Sequence, residues 1–111
     1  MVKYVPERGD IIWLSFSPQL GVEQAGRRPA IVLSPSVYNE KSGLVLVCPV
    51  TSKRKGYPFE VALGDSLTTT GAVLSDQVHS LDWRTREANF IERINDAALA
   101  DILENTRLLL D

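Results

Sequence analysis

Apolar residues along this chain come in short runs broken by glycine, proline and polar stretches. The runs are rich in Val, Ile, Leu and aromatic side chains, the composition of strands. Residues 10–16 (DIIWLSF) read as the first strand. Residues 30–34 (AIVLS) read as the second, entered through Pro29 and stopped by Pro35. The third covers 44–51 (LVLVCPVT), where the missing N–H of Pro49 predicts an edge position or a bulge. The fourth, 58–63, alternates apolar and polar positions; a fifth covers 71–78, with a short segment over 79–83. After residue 94 the period changes. Leu99, Ile102, Leu103, Thr106 and Leu110 recur at helical spacing behind a possible cap at Asn95 or Asp96. Asp96 and Arg107 also suit the two ends of a helix dipole. A second, short helical turn is expected over 36–41. Short, closely spaced strands followed by one amphipathic helix predict a mainly β protein, a small barrel or sandwich with a C-terminal helix laid against it.

Length and composition narrow this further. At 111 residues, one domain over 1–111 is expected, with a β core and loops over 1–94 and the helix over 95–110. The chain is 44% hydrophobic and 23% charged, the balance of an ordinary globule. No apolar run approaches the ~20 residues of a membrane span, and residues 1–8 lack the apolar stretch of a signal peptide. A cytoplasmic, membrane-free protein is therefore expected. Cysteine and histidine occur once each, as Cys48 and His79, which excludes an internal disulfide and a four-ligand N/S zinc site within one chain.

The net charge of −2 argues against a polyanion binder until its distribution is considered. Residues 87–111 carry six acids and two bases, leaving a net +2 on residues 1–86. There the bases gather as Arg27-Arg28, Lys53-Arg54-Lys55, and Arg84 with Arg86. Local basic clusters on a neutral body suit a confined anionic site, although solvated loop tips would give the same pattern.

Familiar hydrolytic arrangements are absent. A Ser-His-Asp site would have to use His79 with its neighbours Ser80 and Asp82, which point to different faces of a strand. Cys48 lies inside an apolar run and reads as a small buried hydrophobe. The remaining feature is the loop over 21–30 (GVEQAGRRPA). Gly26 permits a tight approach before the arginines, and Pro29 sets the entry into the next strand. Arg28 is thereby held where loop becomes strand, with a planar fork of donors suited to a phosphate. Glu23 could orient that guanidinium or carry a proton, or simply pair with it at the surface.

Residues 9–13 (GDIIW) followed by 21–30 closely resemble the MazF/PemK family of bacterial toxins. Further matches follow in order: Leu33-Ser34-Pro35 through Tyr38-Asn39, Pro49-Val50-Thr51-Ser52 through Val61, and Asp76-Gln77-Val78 with 82–86 (DWRTR). The resemblance implies an SH3-like barrel of the CcdB–PemK type, homodimeric, and a sequence-specific endoribonuclease acting on single-stranded RNA without metal or cofactor. It implies a MazE-like antitoxin with an acidic disordered tail as partner. By motif position it makes Arg28 and Thr51 catalytic, with Glu23 beside them. Gln24, Arg27, Lys53, Lys55, Tyr57, Gln77, Arg84 and Arg86 become RNA contacts. Arg27 stands where close relatives often have histidine, which weakens any proton-transfer role there. Trp13 and Trp83 are expected in core or dimer packing.

The chemistry these residues permit is attack of a ribose 2′-OH on the adjacent phosphorus, leaving a 2′,3′-cyclic phosphate and a 5′-OH. Either Arg28 or Glu23 could serve as base. Two rival readings are a CcdB-like gyrase-binding toxin without nuclease activity and a non-catalytic SH3-like RNA-binding module.

Overall fold

The computed structural model describes residues 3–16 and 26–111. Its strands are β1 (Asp10–Ser15), β2 (Arg27–Val32), β3 (Leu44–Thr51), β4 (Glu60–Ala62), β5 (Ala72–Leu74), β6 (His79–Asp82) and β7 (Asn89–Arg93). Helix α1 (Ser36–Ser42) joins β2 to β3, and α2 (Asp96–Leu108) follows β7. The mainly β architecture with a terminal helix agrees with the sequence.

Several boundaries differ. β2 begins at Arg27, so both arginines and Pro29 lie inside the strand and not in the loop before it. The fourth and fifth strands are shorter than their apolar runs: a turn closed by Glu60 N–H on the Tyr57 carbonyl precedes β4, and one closed by Gln77 N–H on the Leu74 carbonyl follows β5. β7 was not expected, since its NFIER sequence has little β-rich character. It forms because β1 offers an open edge, pairing Ile12 with Phe90 and Asp10 with Arg93 across a bulge at Ile11/Ile12.

The strands form one sheet in the order β4-β5-β3-β2-β1-β7, with β6 also on β3. β3 is central. One edge pairs with β2, from Val32↔Val47 to Ala30↔Pro49. The other edge pairs with β6 over Leu44–Val47, then with β5 at Val50 and Thr51. Pro49 therefore sits in an interior strand, in the gap between two partners, and not at an edge. The gap tolerates a residue with no N–H to give.

Both faces of the central strands are apolar and both are covered. On one face Ile11, Ile31, Leu33, Cys48, Val50 and Val73 pack under Ala98 and Ile102 of α2, with Leu99 and Leu103 alongside. On the other, Ile12, Leu14, Ala30, Val32, Val45 and Val47 pack with Phe16 and Trp83. The Asn95 side chain caps α2 by accepting from Ala98 N–H at 2.8 Å. Near the other end, Thr106 Oγ1 donates to the Ser75 carbonyl at 3.0 Å. Leu110, expected on the packed face, lies beyond the helix and is 83% exposed. Trp83 is buried and donates from Nε1 to the Asn39 carbonyl, as a core residue should.

The connection between β4 and β5 is held by one carboxylate. Glu92 on β7 accepts from the backbone N–H and the hydroxyl of both Thr68 and Thr69, at 2.7–3.1 Å. The Thr69 hydroxyl contributes most to holding this carboxyl at about 2, with the other threonine bonds reinforcing it and partial desolvation opposing. Because the folded value lies below the ordinary carboxylate range, the latch stabilises the fold at neutral pH. Glu92→Gln should lower the melting temperature at pH 7. That deficit should shrink as pH falls from about 4.5 toward 2, where the wild-type carboxyl protonates as well. Paired melting curves across this range are the measurement, and a deficit constant with pH would remove the charge from the latch.

Gly71 ends the same loop with φ +112°, and a Cβ there would lie 2.2 Å from the Thr51 carbonyl oxygen. Gly64 opens it with φ +84° and free space around it. Gly71→Ala should cost about 3 kcal/mol, combining backbone strain with a backbone clash. Gly64→Ala should cost about 1 kcal/mol, from the left-handed conformation alone. Urea unfolding of both variants compares them directly.

Candidate active site

The site begins with two adjoining strands. The β2–β3 register runs through Ala30↔Pro49. Two residues further along each strand stand Arg28 and Thr51, at the last turn of the ladder before the loops. Side chains alternate along a strand. Arg28 thus shares a face with Ala30 and Val32, and Thr51 shares that face with Val45 and Val47. A guanidinium and a hydroxyl distant in sequence are brought to the same level of one sheet face.

Their environments differ. Arg28 is half-buried and lies opposite Leu14 of β1. Thr51 is 5% exposed, and its Oγ1 accepts from Lys53 N–H at 3.1 Å. A hydroxyl has one proton to give and two lone pairs. With one lone pair taken by Lys53, the Thr51 O–H remains able to donate, and its rotor is oriented by the backbone.

The basic residues separate into three groups. Arg27 and Arg86 flank the ends of β1 and β2. Arg27 Nη2 donates to the Glu87 carbonyl at 2.9 Å, and Arg86 Nη1 donates to the Ser15 carbonyl at 3.0 Å. Lys53 and Lys55 are exposed on the turn after Thr51. That turn is shaped by Glu60, whose carboxylate accepts from the N–H groups of Lys55 and Gly56 at 3.0–3.1 Å. Beside it, Tyr57 donates to Asp76 Oδ1 at 2.9 Å, which ties this turn to the one carrying Gln77. Burial, with the Asp76 bond and charge adding to it, pushes the Tyr57 hydroxyl up to about 12, so it stays protonated. Arg84 stands apart from both. Its Nη2 donates to the Glu40 carbonyl at the end of α1, and its guanidinium lies over the Trp83 ring at 4.9 Å. Glu23 and Gln24 lie outside the described residues.

The other two chemistry-bearing residues behave as ordinary packing. Cys48 is fully buried, and burial pushes its thiol up to about 12. His79 is half-buried with its ring edge-on to Phe16 at 5.3 Å. Among the described residues, no group of three or more His, Cys, Asp or Glu side chains converges as a metal cluster would require.

A groove of about 580 Å³ opens beside the arginines, lined by Trp13, Arg27, Arg28, Pro29, Val50, Ser52, Thr68, Thr69, Thr70 and Ile91. Val50 and Ile91 belong with the α2-side cluster, so the groove lies mainly on the face opposite Arg28 and Thr51. Sequence reasoning missed the Thr68–Thr70 wall; of its two placements for Trp13, core or dimer packing, the first does not hold, since Trp13 is 41% exposed. Three successive threonines before a glycine were the only hint. Their role depends on Glu92, which the sequence leaves far away.

Comparison with known proteins places the chain in a family. The family described as PemK-like, MazF-like toxins of type II toxin–antitoxin systems matches residues 7–110. The endoribonuclease toxin MazF of Escherichia coli K12 is 54% identical over 86 residues, which are 78% of this chain and 77% of that protein. The endoribonuclease PemK of Escherichia coli is 33% identical over 108 residues, 94% of this chain and 81% of the relative. The crystal structure of MazF from Deinococcus radiodurans superposes with a TM-score of 0.94 at 50% identity, covering 97% of this chain and 98% of that one. A chain of a MazE–MazF crystal structure from the same organism superposes with a TM-score of 0.86 at 45% identity, covering 97% of each. The match to the family runs through almost the whole chain and includes the strands that carry Arg28 and Thr51, and so this protein belongs to the PemK-like, MazF-like toxins of type II toxin–antitoxin systems.

Proposed function

We propose that this protein is the toxin of a type II toxin–antitoxin pair and acts as an endoribonuclease on single-stranded RNA. The observation that carries the reading is the level placement of Arg28 and Thr51 on neighbouring strands, β2 and β3. Relatives named endoribonucleases support it, and they disfavour both a gyrase-binding toxin and an inert RNA-binding module.

RNA carries its own nucleophile beside each phosphate. In the proposed reaction O2′ bonds to phosphorus, its proton leaves, the P–O5′ bond breaks and O5′ takes up a proton. The products are a 2′,3′-cyclic phosphate and a 5′-OH, with no water consumed. The protein's task is to align the groups and to hold the negative charge that builds on the phosphate oxygens. Arg28 suits this because it stays cationic and presents parallel donors. Thr51 adds one oriented O–H. A preorganised donor of this kind contributes ~3–4 kcal/mol to the barrier. Glu23 or Arg28 takes the 2′-OH proton. Lys53, Lys55, Tyr57 and Gln77 gather at the neighbouring turns and, together with Gln24, are the proposed base readers, while Arg27 and Arg86 at the strand ends are further RNA contacts. Arg84, bonded to α1, acts at most from a distance.

The cytoplasm is the proposed compartment, and a MazE-like antitoxin with an acidic tail is the proposed partner. MazE–MazF complexes of the Deinococcus proteins support this pairing. The basic turns around Thr51 attract an acidic unfolded segment as they attract RNA, so the two compete for one surface. Homodimerisation is proposed through Leu44 and Leu46 of β3, which are more than a third exposed on the α2 side of the sheet, together with the exposed Leu108–Leu110 end of α2.

Incubating the pure protein with synthetic RNA in the presence of a chelator, and mapping fragment ends, tests the reaction. Discrete cuts leaving 5′-OH ends are expected; 5′-phosphate ends or loss of cleavage on chelation would refute the scheme. Arg28→Ala should lower kcat by roughly 10²–10³-fold, and Arg28→Lys should recover only part of this because the fork is lost. Cleavage at normal speed by an Arg28→Ala/Thr51→Val double variant would remove both residues from the site. Sedimentation of Leu46→Asp should show monomers where the parent protein is dimeric.

A further inference from the structure

We propose that the groove on the α2 side of the sheet is a nucleotide subsite: it seats one nucleotide flanking the scissile linkage, with the base stacked on Trp13 and a phosphate against Arg27. The inference rests on the nuclease reading above.

Arg27 and Arg28 are consecutive residues of a strand, so they project to opposite faces of the same sheet end. Their Cα atoms are only one residue step apart, ~3.3 Å along the strand. An RNA strand held by Arg28 at the level of Thr51 therefore runs past Arg27 where it crosses the end of β2. There it meets the groove, whose lining includes both arginines. Its volume of about 580 Å³ is within the range of small-molecule sites.

The groove has the chemistry of a nucleotide site. Trp13 offers a 41% exposed indole, and Pro29, Val50 and Ile91 make the apolar floor. Aromatic faces accept any base by stacking. Ser52 and Thr70 supply hydroxyls for ribose or phosphate oxygens. Arg27 is already oriented by its bond to the Glu87 carbonyl. Among the described lining residues the charged groups are both arginines, with no carboxylate. The nearby carboxylate of Glu92 is occupied by its four bonds to Thr68 and Thr69, and it holds the threonine wall in place. Positive charge, one exposed aromatic ring and hydroxyls in a concave site continuous with Arg28 favour RNA, since every nucleotide pairs a stacking base with a phosphate.

The test uses the full chain and a 12-nucleotide RNA containing the cleavage motif mapped as above. Trp13→Ala should raise KM at least tenfold with kcat changed less than threefold, and Trp13→Phe should recover most of the loss. Trimming the RNA nucleotide by nucleotide from one end should abolish the difference between wild type and Trp13→Ala at a single step. The same RNA with a 2′-deoxy residue at the cut site should quench the exposed indole of the wild type, with the quench absent in Trp13→Phe. Melting curves establish that both variants are folded. Equal KM values for folded Trp13→Ala and wild type, or no quench, would overturn the subsite while leaving the nuclease reading intact. Quenching by an acidic peptide but not by the deoxy-substituted RNA would assign the groove to a protein partner instead. A wild-type protein that cuts no RNA would overturn both readings.

Discussion

Strand β3 changes partners halfway along its second edge, and the rest of the structure depends on that change. Over Leu44–Val47 it bonds β6, and at Val50 and Thr51 it bonds β5. A single strand with one constant partner on that edge would keep its loops in line. Here the switch lets β5, and β4 beyond it, pair with the Thr51 end of the strand, while the β2 register on the other edge keeps Thr51 level with Arg28. Pro49 marks the point of change. A residue without an N–H is costly inside a continuous ladder and harmless at a break in one. The close pass of Gly71 over the Thr51 carbonyl completes the junction and admits no side chain.

Around this junction the chain uses its own carboxylates to shape loops. Glu92 gathers the donors of Thr68 and Thr69, Glu60 gathers the N–H groups of Lys55 and Gly56, and Asp76 holds the Tyr57 hydroxyl. Asp10 does the same for the N-terminal segment, accepting from Tyr4 Oη and Glu7 N–H while pairing with Arg93. Charge-assisted bonds of this type are shorter and stronger than neutral ones. Each converts a glycine-rich or polar connection, which would otherwise fluctuate, into a wall of defined shape. The arrangement also spends negative charge next to positive loops. Lys53 and Lys55 are exposed beside these loops, while Glu60 and Asp76 are occupied by donors of the chain itself.

This placement reconciles a net-negative chain with a proposed polyanionic substrate. The acids of α2 lie on the helix beyond the core face formed by Ala98 and Ile102, whereas the bases cluster at the ends of β2 and β3. Net charge governs solubility and long-range behaviour, but binding at a cleft is set by the charges within about a Debye length, roughly 8–10 Å.

Much of this protein is decided by sequence alone, because the governing interactions are local. Runs of β-branched residues separated by turn formers yield strands wherever they find a partner, and the run 99–106 with Asn95 before it carries its own helix cap and apolar stripe. The loop 21–30 carries residue types that suit phosphate chemistry, and the ordered motifs that include Thr51 carry the resemblance to the family. What the sequence does not contain is which edges meet. β7 has an unremarkable composition and exists only because β1 leaves an edge to be filled. Pro49 reads as an edge residue until the exchange of β6 for β5 is known. Trp13 reads as core or dimer packing because an indole is mostly apolar, whereas in the folded chain it is 41% exposed and lines an open groove with the Glu92-held threonines. Pairings across many residues depend on the collective packing of the sheet, and a side chain's surroundings are determined there, not by its neighbours along the chain.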